Sequence, residues 1–83
     1  MNNSVGIVMP VYNEEATVAD IVVKVLEQDM INELVIVDDC SSDNTWETLE
    51  KMRDDSDKIR IFRHEINQGK GAALRTGFEH VTS

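Results

Sequence analysis

Three short apolar runs, at residues 5–9 (VGIVM), 34–37 (LVIV) and 59–62 (IRIF), alternate with segments whose apolar residues return at helical intervals. That alternation constrains the fold more than any other feature. A short, nearly continuous apolar run suits a strand buried on both faces. Pro10 is expected to close the first strand, because proline cannot donate to a ladder. Asn13 is placed to cap the helix that follows, with Glu14 and Glu15 against the positive end of its dipole. Val18, Ile21, Val22, Val25 and Leu26 then fall at i, i+3, i+4, i+7 and i+8, which predicts one buried helical face. After the second run, Asn44 with Glu47 three residues on predicts a capping box and a helix to about Arg53, with Trp46, Leu49 and Met52 inward. Asp54, Asp55, Ser56 and Asp57 make a polar turn. Arg60 gives the third strand one wetter face, and a third helix is expected from about Gly71 to Val81. The order βαβαβα implies an α/β fold with a parallel sheet, right-handed crossovers and helices packed on it.

Open sheets of this kind bind ligands beyond the carboxyl ends of their strands. Three segments meet there: residues 10–15 (PVYNEE), 38–41 (DDCS) and 67–71 (NQGKG). Every unusual cluster in the chain falls on that one rim.

Composition narrows the functions. With 83 residues the chain makes one small domain. Its net charge of −8 argues against nucleic acid, whose binding needs Lys and Arg on phosphates. The five bases Lys58, Arg60, Arg63, Lys70 and Arg75 nevertheless gather in the last third, opposed there by Glu65 and Glu79 alone. The first three suit protection of an edge strand; Lys70 and Arg75 lie beyond it. No apolar run approaches the ~20 residues of a membrane span, and no basic start marks a secretory signal. A single cysteine, Cys40, forms no internal disulfide, which makes a reduced, cytoplasmic setting the default.

At the rim, Tyr12 offers a flat face for a ring, or packs on its own helix. Asp39 is placed to accept hydrogen bonds from a base N–H or a ribose hydroxyl, while loop capping is the competing role for Asp38 and Asp39. Two adjacent carboxylates also imply donors or a cation nearby. Gly69, Lys70 and Gly71 allow close backbone approach ahead of a helix amino end, and Lys70 with Arg75 would suit a diphosphate; a plain glycine turn with solvated bases is the alternative. The run GKGAAL at 69–74 departs from the dinucleotide fingerprint, with Leu74 in place of the third glycine and the wrong strand before it. His64 and His80 lack partners at metal-ligand spacing and read as ordinary surface or half-buried histidines.

The segments VMPVYNEE (8–15), VIVDDCSSDNT (35–45) and NQGKGAALRTG (67–77) resemble three successive signatures of family 2 glycosyltransferases, and the resemblance covers essentially the whole chain. The subgroup it is most similar to is that of dolichyl-phosphate mannose synthases and polyprenyl-phosphate sugar transferases. The resemblance implies the amino-terminal part of a GT-A domain, with sheet order 3-2-1 and a UDP- or GDP-sugar donor transferred to an acceptor such as a polyprenyl phosphate or glycan. By the same resemblance Pro10, Tyr12 and Glu14 line the nucleoside pocket, Asp39 meets the base or ribose, and Lys70 and Arg75 lie near the donor phosphates. Family members carry a later Asp-x-Asp motif for Mg²⁺ or Mn²⁺ and a general base. The segment is expected to stop short of that later motif and of the general base, so no metal is expected on it and transfer by it alone should be very slow. The resemblance also implies that the first strand is central in the whole enzyme, and that the whole enzyme works in the cytoplasm or at the cytoplasmic face of a membrane. Here that strand would be an apolar edge, and a homo-oligomer joined through it is expected. The competing function is a non-catalytic nucleotide-binding or oligomerisation module. A receiver-like domain is excluded, because its paired aspartates would follow the first strand.

Overall fold

A computed structural model describes residues 5–82. Strands β1 (Val5–Val11), β2 (Ile31–Asp38) and β3 (Ile59–Arg63) alternate with helices α1 (Val18–Leu26), α2 (Thr45–Asp54) and α3 (Lys70–His80). The strands form one parallel sheet in the order β1-β2-β3, the arrangement that the sequence implied.

Alternate residues of β2 divide the core in two. Leu34 and Ile36 join Val11, Val18, Val22, Leu49 and Ile59 on the face covered by α1 and α2. Val35 and Val37 join Ala73 on the face covered by α3, with Val8 and Phe62 packed alongside. Both faces are covered, which is why this strand reads as an unbroken apolar run rather than an alternation. The layers come closest at Gly77. A Cβ there would lie 2.2 Å from Cγ1 of Val8, so α3 rests on β1 through bare backbone.

Several local expectations are corrected. Pro10 lies inside β1, paired with Val37, rather than ending it. The carbonyl of Val11 accepts from the Asp39 amide at 2.9 Å. Val11 therefore turns its amide and carbonyl to β2, and the nitrogen of Pro10 faces the open edge, where no donor is required. Asn13 does not cap α1. It has φ 50°, and its Oδ1 accepts from the Ser42 amide at 2.7 Å. The helix starts at Val18, after a turn in which the Glu14 carbonyl accepts from the amides of Thr17 and Val18. Ile21 is exposed rather than part of the buried face. The capping box of α2 is also not formed, since Asn44 makes no side-chain cap. Asp43 replaces it, accepting from the Thr45 amide at 2.9 Å and the Thr45 hydroxyl at 2.5 Å.

The basic residues of β3 are tied to their own chain. Arg60 donates to Glu33 at 3.0 Å and to the His80 carbonyl, and its guanidinium lies over Phe62. Arg63 lies over Trp46 and donates to the Ser41 carbonyl at 3.3 Å. Among the described residues no helix is long and apolar enough to cross a membrane.

Candidate functional site

The carboxyl ends of the strands are fastened to one another before any ligand is considered. Asp38, fully buried at the end of β2, accepts from the amide and hydroxyl of Ser41 through Oδ1, at 2.9 and 2.5 Å. Its loop-capping role is therefore the observed one. The Ser41 hydroxyl also receives the Asn13 amide at 2.8 Å. The Glu14 amide donates to the Thr45 hydroxyl at 2.8 Å, and the Glu15 amide to Asp43 at 3.3 Å. The loop after β1 is thus held by side chains from the loop after β2, some thirty residues away in sequence. Burial pushes the Asp43 carboxyl up, but bonds from the Thr45 hydroxyl and amide and the Glu15 amide outweigh it and hold the group below its ordinary range.

Asp39 ties in the third loop. Its Oδ1 accepts from His64 Nδ1 at 2.8 Å and from the Gln68 amide at 2.9 Å, and its Oδ2 accepts from the Gly69 amide at 2.8 Å. Asp39 is 4% exposed. Burial pushes its carboxyl up, yet the Gln68 amide, His64 and the Gly69 amide together hold it below the ordinary value. Because Gly69 caps α3, this carboxylate sits at the positive end of that helix, where an anion is favoured. The amide of Gly69, in the segment expected to let the backbone approach a ligand, is turned with that of Gln68 to a carboxylate of the same chain instead. Gly69 has φ 94°, a left-handed conformation that glycine adopts without strain.

A cavity of about 290 Å³ opens at this rim, lined by Pro10, Val11, Tyr12, Glu14, Asp39, Asn67, Gly69, Lys70 and Ala73. Pro10, Tyr12, Glu14, Asp39 and Lys70 meet there. Arg75 does not line it; it is exposed on α3. Tyr12 is 48% exposed, so its ring is free to receive a flat partner. The cavity combines an ionised acceptor, a cation and an aromatic face within one concave surface, which can hold a ring with N–H or O–H donors on one edge and an anionic tail near Lys70. A second cleft of about 400 Å³, lined by Cys40, Arg63 and Glu65, contains none of the six expected residues. Among the described residues no three His, Cys, Asp or Glu side chains converge as a metal site.

Sequence reasoning missed His64. It is 8% exposed, with Nδ1 on Asp39 and Nε2 on the Thr76 hydroxyl of α3, both at 2.8 Å. The signal was the strand register. Leu34 pairs with Ile59 and Asp38 with Arg63, so the next pair along the same offset is Asp39 with His64.

An open parallel sheet whose loops converge on one cleft at the carboxyl ends defines an α/β ligand-binding domain, and solved structures narrow it to the GT-A type. The chain superposes on a Pyrobaculum calidifontis mannosyltransferase solved with GDP-Man and Mn²⁺, with TM-score 0.83 and 25% identity over 93% of this chain and 24% of that one. It matches Staphylococcus aureus TarS in complex with UDP at TM-score 0.85 and 26% identity, over 96% of this chain and 25% of that one. In sequence it is 38% identical over 87 residues to the undecaprenyl-phosphate 4-deoxy-4-formamido-L-arabinose transferase of Proteus mirabilis, covering 95% of this chain and 26% of the relative. The family model described as glycosyl transferase family 2 matches residues 6–83. The chain belongs to glycosyltransferase family 2. It spans between 26% and 30% of the length of the curated relatives it matches first.

Proposed function

We propose that this segment is the donor-nucleotide half of a GT-A domain, holding the nucleoside diphosphate of a UDP- or GDP-sugar for transfer to an acceptor such as a polyprenyl phosphate or glycan. The observation that carries the reading is the ionised, immobilised carboxylate of Asp39 in a cavity that also contains Tyr12 and Lys70. A fixed anion repels phosphate and attracts a donor edge, so the base or ribose belongs at Asp39 and the diphosphate toward Lys70. Tyr12 would stack on the base, Pro10 and Glu14 would border it, and Arg75 would approach the phosphates from outside the cavity. Two structural neighbours support the choice of ligand, being complexes with GDP-Man and with UDP.

The Mg²⁺ or Mn²⁺ of the whole enzyme would be held by residues beyond those described, where it would offset charge on the leaving diphosphate. The segment's own part is to bind and orient the donor, with little transfer by itself, at the cytoplasmic face of a membrane. The edge position of β1 favours a homo-oligomer, since its residues from Val5 to Met9 are half-buried and mostly apolar. Sedimentation at micromolar concentration should show a dimer or larger species; a clean monomer overturns that part.

Calorimetric titration with UDP and GDP, with and without Mn²⁺, tests the reading. Binding that is lost in Asp39→Ala supports it, and it also separates a donor site from a purely oligomeric module. Absence of heat with both nucleotides would overturn it.

A further inference from the structure

We propose that His64 is a positioning residue that makes the Asp39 site selective for a base with a single imide N–H, as in uracil or thymine, over guanine. The inference rests on the cavity being the nucleoside site and goes further by choosing the base. An ionised carboxylate has about four in-plane acceptor positions, two on each oxygen. Oδ1 of Asp39 has both filled, by His64 Nδ1 and the Gln68 amide, while among the described residues Oδ2 receives the Gly69 amide alone. A carboxylate only accepts, so Nδ1 of His64 carries a proton, and Nε2 is anchored by the Thr76 hydroxyl of α3. The ring is therefore clamped between β2 and α3, and one position on Oδ2 is left for a ligand.

Uracil presents one N–H between two carbonyls and fills that position. Guanine presents two adjacent donors, N1–H and N2–H, and its usual carboxylate partner offers both oxygens side by side. Here one guanine donor would find Oδ2 and the other would meet an oxygen already occupied. A donor desolvated without a partner is penalised, and sites built around a fixed set of hydrogen bonds discriminate on that ground.

The test is calorimetry on the full chain with UDP, GDP and N3-methyl-UDP as probes. UDP should bind roughly ten- to hundredfold tighter than GDP, and N3-methylation should weaken UDP by a similar factor. In His64→Ala the freed position on Oδ1 should shrink the preference for UDP several-fold, and His64→Asn, which returns an N–H near Nδ1, should restore it. GDP binding as tightly as UDP overturns the inference and leaves the nucleotide site standing. N3-methyl-UDP binding as well as UDP overturns it likewise, using the unaltered chain. Binding by neither nucleotide brings down both.

Discussion

Asp39 joins all that is unusual in this chain, because one carboxylate organises a histidine, two loop amides and the amino end of a helix. Replacing it with asparagine exchanges one acceptor for an NH₂ donor facing N–H donors, of which the Gly69 amide alone has a second acceptor, Asn67 Oδ1 at 3.1 Å, among the described residues. Asp39→Asn should cost about 1–3 kcal/mol at neutral pH, measured by urea denaturation. The sign of the pH dependence follows from its folded pKa lying below the ordinary 3.8. The charged group stabilises the fold above that value, and its contribution fades as pH falls through the lower folded pKa. The gap between wild type and Asp39→Asn should therefore narrow as pH falls below the ordinary carboxylate value of 3.8; a gap that stays constant on acidification would contradict this origin. Asp39 itself was legible as a candidate from its strand end. Its partners were not, because hydrogen bonds between residues 25 to 30 apart depend on register and loop geometry that local patterns do not carry. His64 shows the difference, since only the parallel pairing of β2 with β3 brings it beside Asp39.

Among the elements, strands and helices followed from apolar periodicity, while their ends did not. The two misplaced caps have different causes: Oδ1 of Asn13 is taken by Ser42, while at α2 the adjacent Asp43 accepts from Thr45 where Asn44 was expected to cap. The turn before α1 is held by Thr45 and Asp43, which accept from the Glu14 and Glu15 amides. Thr45→Val keeps the shape of a fully buried side chain and removes the acceptor for the Glu14 amide. That amide should exchange hydrogen faster, with a stability loss of about 1–3 kcal/mol; unchanged protection would show that α1 starts without this cross-loop bond. Helix α3 offers a second test at Gly77. Alanine there would gain about 0.5–1 kcal/mol of helix propensity, but its Cβ meets the stiff Val8 side chain. Overpacking costs typically 1–3 kcal/mol, so Gly77→Ala should lower the melting temperature. A rise would mean that α3 moves off β1 freely.

For the whole molecule, the account reduces to three loops held at one rim by their own hydrogen bonds, with a cavity between them sized for a small ring and its substituents. The rim was legible because βαβ topology sends every strand end to one side of the sheet. The division of labour within it was not, since the Gly69 backbone expected to approach a ligand is engaged, with the Gln68 amide, by Asp39. The most direct test follows backbone amide resonances of the chain as UDP is added. The account predicts that shifts concentrate at Tyr12, Glu14, Asn67, Gly69 and Lys70, with the Gln68 and Gly69 amides keeping their protection because Asp39 holds them. Shifts centred instead on Cys40, Arg63 and Glu65, or none at saturating nucleotide, would contradict it.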